Sequence, residues 1–219
     1  NLECSFVQRE AQHADILCLQ EVSQAAAEKL HDALGKDFVV ITPDVCGASF
    51  DHEGIGTAVL ARRSLFTLGG AKVVKLPSEM QRCLMTVRLN LRRSRRCLLV
   101  ATTHLESFAE GKDLRDLQLQ VVREALCDDT VDAALLAGDL NLRDQEVAAT
   151  EGLGEDAWML AGSPEHHRWT WYPPARVVQE EQKAEVAQPQ QKQRPLLEGP
   201  AGPAQDDVMF VVSQRGASR

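Results

Sequence analysis

Short apolar runs recur along most of the chain, and polar or amphipathic stretches separate them. Their length and their content of β-branched residues are typical of buried strands. The pattern predicts eight strands, at Asp15–Val22, Phe38–Thr42, Gly56–Ala61, Ala71–Leu76, Cys83–Leu91, Cys97–His104, Ala133–Asp139 and Val208–Val212. The arginine-rich run at 92–96 lies between two of these strands and reads as a solvated hairpin turn, with a phosphate-binding patch as the alternative.

Two helices are predicted between the strands. Ser23 is a favourable N-cap for an alanine-rich helix that ends at Leu34, and Gly35 is a favourable residue just beyond its end. Apolar residues at helical spacing predict a second helix from about Lys112 to Asp128. Because strands and helices alternate, the fold class is α/β or α+β.

The segment 173–205 differs from the rest of the chain. It is rich in Gln and Pro and has almost no apolar periodicity. Such a composition cannot bury enough apolar surface to offset the entropy of ordering. We therefore predict a folded domain at 1–172, a disordered insertion at 173–205, and a strand at 206–213 that returns to the domain.

Charge and cysteine content narrow the function classes. The chain has 219 residues and a formal net charge of −8, which argues against non-specific coating of DNA and against binding to an anionic membrane surface. A bound divalent cation can still bring a phosphodiester to an acidic site. The six cysteines form no metal-ligating pattern and indicate a reducing compartment. No apolar run is long enough to span a membrane.

Polar residues follow three of the predicted strands, where α/β proteins tend to build their sites. Glu21 comes near the end of the first strand, and His104 ends another, followed by Ser107. Without other information, a glutamate in the position of Glu21 is more often a solvent-facing carboxylate than a functional residue. A histidine in the position of His104 is as often a packing residue as a functional one.

The third group follows the strand 133–139. Asp139 and Asn141 each carry an oxygen acceptor there, and Arg143 has the planar guanidinium that pairs with phosphate. Oxygen ligands of this kind suit Mg²⁺, although Gly-Asp-x-Asn is also ordinary turn chemistry. Trp171 is either a core aromatic or a platform for stacking a base, and the pair His166–His167 is a weak metal candidate.

In this order, the motifs resemble the endonuclease/exonuclease/phosphatase superfamily, and in detail its branch that hydrolyses tyrosyl-DNA bonds. The likeness covers about residues 1–172 and resumes at about Asp206. The runs that carry it are Leu19-Gln20-Glu21, Thr103-His104-Leu105-Glu106-Ser107, Arg115-x-x-Gln118-Leu119, the run from Ala137 to Val147, Thr170-Trp171 and Asp206-Asp207-Val208-Met209-Phe210.

The resemblance implies a four-layer α/β sandwich, in which two mixed β-sheets pack face to face with helices outside and with edge elements missing at both ends. It also implies a role for each matched residue. Glu21 would bind the metal, Asp139 would activate the attacking water, and Asn141 would hold the scissile phosphate. The residues that would contact phosphate or line the DNA channel are His104, Ser107, Arg143 and Trp171.

The implied reaction is Mg²⁺-dependent hydrolysis, with Mn²⁺ as a substitute, of the 5′-phosphotyrosyl bond between DNA and a stalled topoisomerase during DNA repair. The implied partners are DNA 5′ ends and a topoisomerase-derived peptide, with no membrane. A monomer in the nucleus and cytoplasm would fit this role.

Two alternatives stay open at this point. The first is another nuclease or phosphatase of the same superfamily. The second is a catalytically incomplete remnant, because the superfamily's first-strand Asn and its terminal Ser-Asp-His segment have no match here, and Tyr172 stands where the family has Asp.

Overall fold

The computed structural model describes residues 2–51, 54–143, 146, 149–162 and 205–213, without side chains for 2–4 and 205–213. The helices are α1 Leu2–Glu10, α2 Gln24–Leu34, α3 Lys112–Leu126 and α4 Ala157–Leu160. The strands are β1 Ile16–Ser23, β2 Phe38–Ile41, β3 Ile55–Arg62, β4 Phe66–Lys75, β5 Cys83–Leu91, β6 Cys97–Thr103, β7 Ala133–Leu142, β8 Glu155–Asp156 and β9 Gln205–Ser213. Short 3₁₀ turns lie at Asp44–Cys46 and Ala109–Gly111.

The strands form two sheets. The larger has the order β4-β5-β6-β7-β9-β8 and is mixed, because β6 and β7 are parallel while its other pairs are antiparallel. The smaller has the order β1-β3-β2. The resemblance implied two mixed sheets, but the described strands of the smaller sheet are all antiparallel.

Three apolar clusters define four layers. One lies between the sheets and includes Val59 from the smaller sheet and Met85 from the larger. A second packs α3 on the outer face of the larger sheet, and a third packs α1 and α2 on the outer face of the smaller sheet. The architecture is the predicted sandwich, with helices outside both sheets.

The two predicted helices form as their sequences dictate. The Ser23 side chain caps α2 by accepting a hydrogen bond from the Ala26 N–H at 3.2 Å. The buried face of α3 carries Leu119, Val122 and Leu126 together with the polar Arg115 and Gln118, whereas the apolar Leu117 is exposed. The helix ends at Leu126, two residues before the predicted end. The run 92–96 is the predicted turn, closed by a hydrogen bond from the Leu91 N–H to the Arg96 carbonyl at 2.9 Å.

Other boundaries differ from the prediction. β4 begins at Phe66 rather than Ala71, because the strand continues through a bulge between Leu68 and Gly70. β7 runs on to Leu142, past the predicted end at Asp139. Helices α1 and α4 were not predicted.

Several expectations fall outside the described residues. These are Trp171, the pair His166–His167 and the segment 173–204. In the part of the chain that the structure does describe, no helix has the length and hydropathy of a membrane span.

Candidate active site

The site begins where β6 and β7 end side by side. The Leu105 N–H donates to the Asp139 carbonyl at 2.9 Å, which extends the parallel pairing past the end of β6. A β-carbon on Gly138 would lie 2.1 Å from the Thr103 carbonyl oxygen. Only glycine allows this approach, and it brings His104 and Asp139 to the same edge of the sheet.

His104 lies between an arginine and a carboxylate. Its Nδ1 is 3.0 Å from Nη1 of Arg82, and its Nε2 is 3.5 Å from Oδ2 of Asp139. A guanidinium only donates, so Nδ1 accepts and the ring proton of neutral His104 is on Nε2. The imidazole therefore presents an N–H to the Asp139 carboxylate.

The charge state of His104 follows from its surroundings. Burial, and secondarily the positive charge of Arg82, lower its pKa to about 4. The imidazole is therefore neutral at physiological pH. It can polarise or orient Asp139 without adding a positive charge.

Asn141 adds an amide to the same edge. It lies in a β-bulge of β7 with φ of 51°, and its N–H donates to Oδ1 of Asp139 at 3.0 Å. Its Nδ2 donates to the Leu105 carbonyl at 3.0 Å and to Oγ of Ser107 at 3.3 Å. The bulge thus turns Asn141 toward the segment after β6, in a left-handed conformation that favours asparagine among non-glycine residues.

Glu21 lies in a bulge of the smaller sheet, as Asn141 lies in a bulge of the larger sheet. The pairing of β1 with β3 is interrupted between Leu19 and Val22, and Glu21 has φ of 54°. The preceding residue, Gln20, donates through Nε2 to Oγ1 of Thr102 on β6 at 2.9 Å. This hydrogen bond crosses from one sheet to the other and ties the bulge of β1 to the strand that leads to His104.

A cleft of about 590 Å³ opens between the two sheets at this end. Glu21 lines it from the smaller sheet, and His104 and Arg82 line it from the larger. Arg82 also donates to Oγ of Ser107 at 3.0 Å, and it pairs with no carboxylate among the described residues. The cleft therefore holds an arginine that forms no ion pair with the described residues, and an exposed carboxylate.

A sequence profile of the Endonuclease/Exonuclease/phosphatase family matches residues 4–202. The chain belongs to this family. Its geometry is that of the family's fold, and the structural likeness extends over nearly the whole chain. A crystal structure of Danio rerio TDP2 with a single-strand DNA product superimposes with a TM-score of 0.72 at 25% identity, covering 99% of this chain and 77% of that one.

Sequence relatives named tyrosyl-DNA phosphodiesterase 2 include proteins of Rattus norvegicus and Xenopus laevis. The Rattus norvegicus protein is 33% identical over 162 residues, which are 72% of this chain and 42% of the relative. The Xenopus laevis protein is 38% identical over 162 residues, which are 72% of this chain and 41% of the relative. The chain thus spans about two fifths of the length of these relatives.

Two functional candidates in this family member were missed by sequence reasoning. Arg82 lies in the loop between β4 and β5, where nothing local predicts that it reaches His104. Glu106 was noted only as part of a motif, yet it is 4% exposed and accepts hydrogen bonds from Oγ of Ser78 at 2.5 Å and the Met80 N–H at 3.2 Å. Glu106 therefore anchors the loop that carries Arg82.

Four of the predicted site residues lie together where β6 and β7 end. The structure brings His104, Ser107, Asp139 and Asn141 into direct contact through the bonds described above, and it places Glu21 in the same cleft as His104. Arg143 lies just after β7, and no side-chain hydrogen bond joins it to this group within the described residues. Trp171 lies outside those residues.

Members of the family generally depend on a divalent metal ion, and the oxygen donors of the cleft decide whether one fits here. No group of three or more His, Cys, Asp or Glu side chains in the described ranges could enclose a metal. The exposed Glu21 carboxylate faces the cleft without a hydrogen-bonding partner among those residues. One carboxylate, with water and substrate phosphate completing the shell, is how proteins usually hold Mg²⁺, so the donor set fits.

Proposed function

We propose that this chain is a metal-dependent phosphodiesterase that hydrolyses the 5′-phosphotyrosyl bond between DNA and a topoisomerase-derived peptide, in DNA repair. The observation that carries the proposal is the shared cleft. Glu21, Arg82 and His104 line it, and His104 contacts Asp139. The names of the relatives supply the substrate class.

Glu21 is the proposed ligand of the metal. Mg²⁺ is the proposed ion, with Mn²⁺ as a substitute, because both prefer oxygen donors in octahedral geometry. When bound, the ion would offset the negative charge that develops on the phosphate in the transition state. The unusual backbone of Glu21 fixes the carboxylate at the mouth of the cleft rather than in the ladder between β1 and β3.

Asp139 is the proposed acceptor for the attacking water. Its Oδ1 is held by the Asn141 N–H, and its Oδ2 faces the Nε2–H of neutral His104. Both donors favour the ionised carboxylate, which is the form that orients a water molecule. His104 in turn is fixed by Arg82.

Donors next to Asp139 and His104 would hold the phosphate. Arg82, Ser107 and Asn141 form a connected hydrogen-bonded set beside Asp139. In-line attack by water would form one P–O bond and break the bond to the tyrosine oxygen, leaving a 5′-phosphate on DNA. A phenol has a pKa near 10, so the phenolate can depart without a general acid.

The proposed substrate also sets where the chain would act. We infer that it works as a monomer on DNA ends, in the nucleus and cytoplasm. A cleft that opens between the two sheets of one chain, with cations and a carboxylate from that chain, supports a monomeric unit.

Turnover of a 5′-tyrosyl oligonucleotide with Mg²⁺ tests the proposal. Asp139→Asn should lower kcat by about 100-fold or more, because the water loses its acceptor. Glu21→Gln should raise the Mg²⁺ concentration needed for half-maximal rate. Glu28→Gln, on the exposed face of α2, is the control and should behave as the wild type.

Other outcomes would contradict this assignment. Turnover equal to that of the wild type in both site variants would show that these carboxylates do not carry the reaction. Faster hydrolysis of an RNA or of a phosphorylated lipid headgroup than of the tyrosyl oligonucleotide would instead favour a different activity within the family.

A further inference from the structure

Phe108 is a large apolar side chain in an unexpected place. Phe108 follows Ser107 directly in the sequence, and 67% of its surface is exposed to solvent. Ser107 accepts hydrogen bonds from Arg82 and Asn141, so the phenylalanine is the next residue after the proposed phosphate-binding group. A packing role would place the ring in one of the three apolar clusters, and it belongs to none of them.

The backbone of Phe108 is strained. Its φ of 64° and ψ of 161° lie in a region that glycine occupies freely and that a β-carbon disfavours. A phenylalanine here raises the free energy of the folded chain without adding to its core. Such strain is typical of functional positions, where the surrounding structure holds an unfavourable conformation.

The surrounding structure does hold it. Nη1 of Arg115 donates to the Phe108 carbonyl at 2.6 Å and to the Glu106 carbonyl at 2.8 Å. Arg115 is completely buried and is fixed by two hydrogen bonds of 2.8 Å to the carboxylate of Glu146. This clamp determines the backbone on both sides of Ser107, and it leaves the ring of Phe108 in solvent.

We propose that the Phe108 ring is a stacking platform for the nucleobase attached to the 5′-terminal phosphate of single-stranded DNA. The inference rests on the proposed function, because it needs a DNA phosphate at Ser107. A base joined to that phosphate lies within one nucleotide of it, where an exposed aromatic face can stack on it whatever its sequence. Phe108 would then contribute to affinity and not to the chemical step.

The test compares two oligonucleotides that differ by one base. Both carry a 5′-phosphotyrosine, and one lacks the base of its first nucleotide. Affinity is measured by fluorescence anisotropy in the Asp139→Asn background, which keeps the probe intact. In the parent, removal of the base should weaken binding about 5- to 150-fold, as expected for one stacked base.

Variants at residue 108 separate stacking from structure. Phe108→Ala should bind the complete probe as weakly as the parent binds the abasic one, and it should no longer distinguish the two probes. Phe108→Trp should restore the distinction. Leu117→Ala removes another exposed side chain, from α3, and should keep the parent's affinity for both probes.

Phe108→Gly gives a second signature. Because glycine relieves the backbone strain, this variant should have a higher melting temperature than the parent and yet bind the complete probe less tightly. A lower melting temperature would show that the ring supports the fold, and it would overturn the proposal.

The binding data separate a missing platform from a missing phosphodiesterase activity. If Phe108→Ala and the parent lose the same factor on removal of the base, the platform is wrong and the proposed function stands. If the parent binds neither probe, the proposed function fails and takes the platform with it.

Discussion

His104 is neutral for two reasons. Burial removes water from the imidazolium and disfavours it, and the positive charge of Arg82 repels it, so that the pKa of His104 falls to about 4. In an unfolded chain a histidine titrates near 6.5. Folding and protonation of this residue are therefore linked.

This linkage predicts an acid sensitivity that belongs to one side chain. Between pH 6.5 and pH 4 the unfolded chain takes up a proton that folded His104 does not bind, so the free energy of unfolding falls as pH is lowered. Between pH 7 and pH 4.5 the wild type should lose about 2 kcal/mol more stability than His104→Gln. Urea denaturation of both proteins at the two pH values measures the difference.

Carboxylates also titrate in this range, and the comparison with His104→Gln removes their contribution because both proteins share them. Parallel losses of stability in wild type and variant would mean that His104 titrates normally in the folded chain. Well above pH 6.5, where His104 is unprotonated in both the folded and the unfolded chain, the linkage has no effect on the difference between the two proteins.

Sequence reasoning reached some residues of the site and not others. Glu21, His104, Asp139 and Asn141 could be named because each comes at or near the end of an apolar strand. Arg82 could not be named in the same way, since its reach to His104 depends on a loop anchored by Glu106, and this contact is not local in sequence. The left-handed backbones of Glu21 and Asn141 were also out of reach, because a bulge depends on how a strand pairs.

At the level of elements, the close approach of β6 and β7 depends on Gly138. Any side chain here meets backbone atoms of Thr103, which cannot rotate away. The two strands would have to separate at the point where His104 and Asp139 face each other.

Gly138→Ala should therefore destabilise the fold by at least about 2 kcal/mol, because the added methyl overpacks a backbone contact. It should also lower the rate on the tyrosyl oligonucleotide in the fraction that stays folded. Chemical denaturation and turnover at low temperature measure the two effects. Ala137→Ser, one residue earlier on the same strand, is the control and should change both far less; a stable and fully active Gly138→Ala would contradict the contact.

The sequence was a better guide to strands than to short helices. The prediction for β5 matches its observed bounds, since its apolar run is flanked by clear turn residues. Helix α1 escaped because residues 2–10 show neither a capping signal nor a full apolar stripe, and they leave Phe6 exposed. The start of β4 was missed because two glycines, which usually break strands, form a bulge within it.

For the molecule as a whole, the two sheets must stay docked for the cleft to exist. Cys18 on β1 lies among the apolar residues between the sheets, and burial raises the pKa of its thiol to about 12. Cys127 after α3 is exposed. The two thiols therefore differ in access, and burial also keeps the Cys18 thiol protonated.

This contrast predicts an order of modification. N-ethylmaleimide at pH 8 should alkylate Cys127 in the native protein and reach Cys18 only when the sheets separate, for example in urea. Peptide mass spectrometry after timed labelling measures both rates. Equal rates in native buffer would contradict the packing of β1 against the larger sheet.

The arginine-rich turn at 92–96 has a consequence for any study of this protein with DNA. It joins β5 to β6 at the end of these strands that lies opposite the cleft. The length of the nine-residue strand β5, at about 3.3 Å per residue, separates the turn from the cleft by about 25 Å. In a chain of net charge −8, four arginines in one turn form a local attraction for any polyanion. At low ionic strength an oligonucleotide would also bind nonspecifically to this turn. A binding titration would therefore measure affinity for the cleft only at near-physiological salt, which screens the charges of the turn.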